Sequence, residues 1–168
     1  MNSNAQWEHH RDYMKKENII KLTVSLVVCQ LAGVIGSLFT YDAISTWYVT
    51  LSKPFFTPPS WLFAPAWITL YFLMGISLYL VWIKGNKIKE AISVFGIQLA
   101  LNITWSFAFF GLKNLLFGLI NILVLWFAIL VTIKKFYKID KNAAYLLVPY
   151  LAWVTFATFL NYYIWVLN

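Results

Sequence analysis

Five long apolar stretches separated by short polar ones divide the chain, at about 19–40, 61–83, 91–111, 115–133 and 143–167. Each reaches the roughly 20 residues with which an α-helix crosses the hydrocarbon core of a bilayer. The pattern therefore predicts five transmembrane helices in one domain. Nearly every position within them is apolar, so the informative residues are polar, small or proline. At about 100° of helix per residue, Gln98, Asn102, Trp105, Ser106 and Phe109 fall in one stripe of the third span. Ala100, Thr104 and Ala108 form a ladder of small residues on its other side, and such ladders let helix backbones approach closely in lipid. One face suits contact with a helix; the other suits something that needs amides and rings. In the second span Trp67, Tyr71 and Gly75 follow one another a turn apart, and in the fifth Trp153, Ala157 and Leu160-Asn161 share a side. The first span offers Gly33 and Gly36. Pro149 predicts a kink in the fifth stretch, whereas Pro65 lies near the start of the second, where proline is tolerated.

Composition agrees with lipid as the solvent. Of 168 residues, 61% are hydrophobic and 11% charged, against about a quarter charged in a soluble domain. All six carboxylates (Glu8, Asp12, Glu17, Asp42, Glu90 and Asp140) lie outside the predicted spans, and Lys21 alone encroaches on one, near an end where its stem can snorkel to the interface. The lack of ionisable groups at depth counts against a pump or an ion-coupled transporter. The net charge of +7 is not the footprint of a nucleic-acid binder, because its distribution alternates. Arg11, Lys15, Lys16 and Lys21 precede or open the first span; Lys84, Lys87 and Lys89 fill the second connection; Lys134, Lys135, Lys138 and Lys141 fill the fourth. The first and third connections carry only Lys53 and Lys113. This bias places the N-terminus in the cytoplasm and the first loop and C-terminus outside. Residues 1–18 read as a short cytoplasmic tail ahead of a domain at 19–168, with no secretory signal. The His9-His10 pair within residues 1–13 does not complete a metal site. Cys29 is the sole cysteine, so no intramolecular disulfide forms, and its place in a span reads as packing.

The aromatic residues have an ordinary explanation, since rings gather at membrane interfaces and fill bundle cores, and Asn or Gln often joins helices. The combination is the argument for a pocket: amides and rings share stripes on more than one span. Such a lining suits a flat, largely apolar ligand with a few hydrogen-bonding groups. No nucleophile–base pair, paired carboxylates or metal cluster accompanies it.

Four stretches, "WYVTLSKPFFTPP" (47–59), "PAWITLYFLMG" (65–75), "LNITWSFAFF" (101–110) and "VPYLAWVTFATFLN" (148–161), resemble at consistent spacing those of the translocator protein family, the tryptophan-rich sensory proteins (TspO/MBR). The resemblance covers roughly residues 19–168 and points to a bacterial member. It implies an all-α integral membrane protein, a bundle of five transmembrane helices that is often dimeric, with a ligand pocket beneath the loop between the first two. It also implies binding of porphyrins or other tetrapyrroles and of synthetic isoquinoline carboxamides and benzodiazepines, with cholesterol confined to animal members. On the family's pattern the pocket takes Tyr48, Trp67, Tyr71, Asn102, Trp105, Phe109, Trp153 and Ala157, and the ladder of Ala100, Thr104 and Ala108 lies where some members dimerise. Two departures stand out. Phe56 occupies a position that is often tryptophan, and "LNYYIWVLN" lacks the cation that the weak sterol-recognition pattern needs after its tyrosine, which argues against a cholesterol role.

The loop between the first two spans then reads as a lid. Pro54, Pro58 and Pro59 fix φ and lower the entropy of the free loop, and its aromatics would roof the pocket. Lys53 has two readings: a fastener on backbone carbonyls, or a partner for a ligand carboxylate such as a propionate. The leading expectation is a receptor or sensor in the bacterial plasma membrane that binds tetrapyrroles, needs no cofactor or metal, and meets lipid and a second copy of itself. One alternative is an enzyme for light- and oxygen-dependent porphyrin degradation, with Trp67 and Trp153 as candidate reactive residues. A tetrapyrrole transporter is another, although no obvious inverted repeat or buried charge supports alternating access.

Overall fold

The computed structural model describes residues 3–85 and 88–168, with side chains from Met14 onward. The described residues contain six α-helices and no strand: α1 (Ser3–Thr46), α2 (Phe63–Trp82), α3 (Lys89–Ser106), α4 (Leu115–Tyr137), α5 (Lys141–Leu146) and α6 (Val148–Leu167). Five segments are long and apolar enough to cross a membrane, the last being α5 and α6 together at Lys141–Leu167. The protein is an all-α integral membrane protein. α1 packs on α2 and α3, α3 on α4, and α4 on α6.

The predicted boundary between a tail and the first span is not a break. α1 has 44 residues, which at about 1.5 Å each make a rod of roughly 66 Å, well beyond the hydrocarbon core. Glu17 and Lys21 form an i,i+4 ion pair on it at 2.7 Å. The side chains of His9 and His10, and all of Lys87, lie outside the described residues. The kink expected at Pro149 falls two residues earlier, at Leu147, where α5 stops and α6 begins. Pro149 has no N–H for the carbonyl four residues back, and its ring would strike that carbonyl, so the preceding turn cannot run through as regular helix.

Lys84, Lys89, Lys134, Lys135, Lys138 and Lys141 cluster at the helix ends furthest from the lid loop. At this basic end Lys84 pairs with Asp140 at 3.1 Å and Lys135 with Glu90 at 2.5 Å. The Asp140 carboxylate caps α5 by accepting from the Ala143 N–H at 3.0 Å. That bond, reinforced by the Lys84 ammonium, holds Asp140 below the usual carboxylate range against its partial desolvation. The basic half of the bundle is tightly packed. The Phe95 and Phe136 rings stack 5.6 Å apart, the Ser77 hydroxyl donates to the Ala143 carbonyl at 2.7 Å, and Val81 and Ile129 have no exposed surface. α1 meets α2 backbone to side: a Cβ placed on Gly75 would lie 2.9 Å from Leu26 Cα and 3.2 Å from the Ser25 carbonyl oxygen.

Candidate functional site

Towards the lid the helices part and enclose a cavity of about 360 Å³. Seven of the eight residues expected at a pocket line it: Tyr48, Trp67, Tyr71, Trp105, Phe109, Trp153 and Ala157. The helical spacing read from the sequence accounts for the grouping, since Trp67 and Tyr71 stand one turn apart on α2 and Trp153 and Ala157 one turn apart on α6. Trp67 stacks on Tyr71 with centroids 5.6 Å apart and lies 5.9 Å from Trp105 and 6.5 Å from Trp153. Three indoles thus share one wall.

Asn102 is the exception. It is buried behind the wall, where its amide oxygen accepts from the Tyr71 hydroxyl and its amide nitrogen donates to the Tyr150 hydroxyl at 3.0 Å. Both ends of the amide are engaged by the protein, so Asn102 positions the floor and does not face the cavity. Trp105 is held in a similar way. Its indole N–H donates to the Asn161 amide oxygen at 3.2 Å, and the Asn161 nitrogen donates to the Ala157 carbonyl at 2.8 Å.

At the end of α3 the backbone widens into a π-turn, Phe107–Gly111, with the Leu112 N–H bonded to the Phe107 carbonyl at 2.8 Å. The extra residue per turn brings both Phe109 and Phe110 onto the cavity, with rings 4.8 Å apart. The sequence reading missed Phe110, and of the α1 wall it missed Ser37, Thr40 and Ile44 beside Gly33 and Gly36. A signal was present: these small and hydroxyl residues recur at helical spacing, although only the two glycines had drawn notice. Gly33 is required by close approach, since a Cβ there would fall 2.6 Å from the Tyr71 ring.

The lid is ordered by its own chemistry. The Lys53 ammonium donates to the carbonyls of Tyr48 at 2.7 Å and Leu51 at 3.0 Å and sits 4.9 Å from the Tyr48 ring centroid. This is the fastener geometry, with the charge turned toward the loop. Pro54 opens a turn closed by Thr57, whose N–H and hydroxyl both reach the Pro54 carbonyl, at 3.0 and 2.7 Å. Pro58 and Pro59 lead into the short 3-10 turn Ser60–Leu62 that runs on into α2. Phe56 crosses to α6, packing edge-on against Phe156 and Tyr163. The side chain of Asn168 bonds both backbone groups of Ser52, each at 2.9 Å. The roof is only partly aromatic, because Phe55 and Trp61 point outward and are exposed.

No charged side chain lines the cavity among the described residues. The Tyr48 hydroxyl is buried without a hydrogen-bond partner among them, and burial pushes its pKa up to about 12, so it stays a neutral donor at physiological pH. The arrangement offers ring faces and a few neutral polar groups. No group of three or more His, Cys, Asp or Glu positioned to hold a metal occurs among the described residues.

The small-residue ladder is divided by the fold. Ala100 and Thr104 are exposed, but Ala108 is fully buried within its own chain, because the π-turn folds that end of α3 against α4. Ala108 is therefore not available to a partner. Thr104 also accepts from Asn121 of α4 at 3.0 Å.

Comparison with known proteins identifies the family. The chain is 47% identical over 155 residues to the tryptophan-rich protein TspO of Archaeoglobus fulgidus, covering 90% of this chain and 99% of that one. It is 40% identical to the human translocator protein, over 78% of this chain and 80% of that one. The tryptophan-rich sensory protein of Cereibacter sphaeroides is 36% identical, over 82% and 84% of the respective chains. The TspO/MBR family model matches residues 25–166, and the chain belongs to that family.

Proposed function

We propose that this protein is a membrane receptor or sensor that binds porphyrins or related tetrapyrroles in the aromatic cavity, and accepts isoquinoline carboxamide or benzodiazepine-type ligands at the same place. The observation that carries the reading is the uncharged cavity walled by Trp67, Trp105 and Trp153 and closed by a lid that its own lysine fastens. A flat π-system gains from offset contacts with such rings, and neutral donors such as Tyr48 orient it. The names of the relatives, translocator and sensory proteins, support a ligand-responsive role. The reading places the basic end in the cytoplasm and the lid outside a bacterial plasma membrane, and pairs two copies through the exposed part of α3 around Ala100. The test is an equilibrium titration with protoporphyrin followed by tryptophan fluorescence, with and without an isoquinoline carboxamide and with free tryptophan as the inner-filter control. Saturable quenching reversed by the competitor is expected; its absence defeats the reading.

A second reading, light- and oxygen-dependent porphyrin breakdown, is favoured by the proximity of the indoles. An excited porphyrin beside Trp67 and Trp153 would meet electron-rich rings able to quench it, with dioxygen as the oxidant. A product that also forms with free tryptophan in detergent would remove the case for a specific enzyme.

A further inference from the structure

The exposed residues of the cavity wall all lie on two helices. Val34, Ser37 and Tyr41 of α1 and Ala64 and Ile68 of α2 are exposed, whereas the wall residues of α3 and α6 are buried or half-buried. Val34 is 56% exposed, Ile68 60% and Tyr41 82%, too open for the walls of a closed chamber. The cavity therefore has a mouth on the side of the bundle, within the membrane-spanning length of α1 and α2. The cause is visible along the α1–α2 seam. Towards the basic end the two helices touch at Gly75, nearly backbone to backbone. Towards the lid, side chains stand between them: the Tyr71 ring lies against Gly33, and the Gln30 amide donates to the Ile68 carbonyl at 3.2 Å at the edge of the opening. Over the lid end the other exit is shut, by Lys53 on its carbonyls, by Phe56 against α6, and by Asn168 on both backbone groups of Ser52.

We propose that the cavity is filled from the bilayer, sideways through the cleft between α1 and α2, while the lid stays closed. The proposal rests on the ligand-binding reading above. Its ligand class is flat and apolar enough to dissolve among acyl chains. The mouth carries no charge, so carboxylates on such a ligand stay at headgroup depth, at the Tyr41 end of the cleft, where charge is far cheaper than at the bilayer centre. Gln30, Ser37 and Ala64 become determinants of entry rate, and Asn168 a positioning residue for the lid.

The test uses the full chain in nanodiscs of neutral phosphatidylcholine with an aryl diazirine dissolved in the bilayer, photolysed and mapped by peptide mass spectrometry. Carbene insertion is expected at buried Leu160 and Ile164 inside the cavity as well as at lipid-facing Phe127. Ser37→Trp and Ala64→Trp, both at exposed positions, should each cut the interior labelling on the order of fivefold or more, with Phe127 unchanged. They should slow protoporphyrin association by about tenfold, a change in access rather than in pocket contacts. Asn168→Ala, which loosens the lid, should leave the losses caused by the two tryptophans in place. Interior labelling absent from the wild type, or untouched by the two tryptophans and raised by Asn168→Ala, overturns the portal. Porphyrin that binds saturably at an undiminished rate in both tryptophan variants also refutes it and leaves the receptor reading in place. Portal labelling without any saturable porphyrin binding supports the portal and refutes the receptor reading.

Discussion

The two halves of the bundle solve different problems with the same residue types. In the basic half, Phe95 and Phe136 stack to fill space, Gly75 removes space, and the polar groups of Ser77 and Asp140 are spent on the chain's own backbone. In the lid half the rings of Trp67, Trp105 and Trp153 surround a void, and Gly33 makes room for Tyr71. The network of Tyr71, Asn102 and Tyr150 marks the border. An aromatic residue in this fold therefore either fills the core or borders the cavity, and the rotation of its helix decides which.

That division is broken most directly by truncating one ring on each side. Phe136→Ala should cost about 3–5 kcal/mol, the range for a large buried ring, read as thermal or denaturant unfolding in detergent. Trp153→Ala, bordering space already empty, should cost clearly less stability yet weaken protoporphyrin binding at least about tenfold. Equal stability losses would erase the distinction. A smaller effect separates seam from surface. Gly75→Ala forces α1 and α2 apart and should cost about 1–3 kcal/mol as an overpacked contact, whereas Gly96→Ala, with nothing within 4 Å of the new methyl, should gain up to about 1 kcal/mol from helix propensity.

At the border, Asn102→Ala leaves the Tyr71 and Tyr150 hydroxyls unpaired in a buried place, a cost of about 1–3 kcal/mol. Ligand affinity should fall less than in Trp153→Ala, since Asn102 acts through Tyr71. A larger loss of affinity at Asn102 than at Trp153 would put the amide back in the cavity wall. The smallest effect belongs to Asp140. Its carboxyl titrates lower in the folded protein than in the unfolded chain, so the stabilisation is complete above the unfolded value of about 3.9 and is lost as pH falls from there through the lowered folded value. Asp140→Ala should cost about 1 kcal/mol near neutral pH, as for other lost helix caps, and should flatten the acid side of the stability profile. An unchanged profile would show that the cap contributes nothing measurable.

Most of the fold was legible because lipid imposes so severe a rule on sequence: a spanning segment must be long, apolar and helical. The five spans and the grouping of Trp67 with Tyr71 and of Trp153 with Ala157 needed only hydropathy and a helical period. Asn102 shares the predicted stripe but lies deeper than the cavity wall. Periodicity reports the side of a helix and says nothing of which neighbour stands between a residue and the void. Ala108 leaves the exposed ladder for a related reason, since the π-turn after Ser106 changes the angle per residue just where the ladder ends. The rest of the α1 wall went unnoticed because a residue that merely leaves room carries little chemical signal.

By itself, then, the sequence determined a five-span membrane protein of the TspO/MBR family, its basic end, its proline-stiffened loop and the rings available for a site. Those are consequences of composition and local periodicity, and they hold whatever the helices do next. Only the tertiary structure decided that α1 and α2 meet at Gly75, that Lys53 and Asn168 fasten the loop, and that the cavity's exposed lining lies on α1 and α2. Each of these depends on distances between residues far apart in the chain, set by how unequal side chains allow two rods to approach.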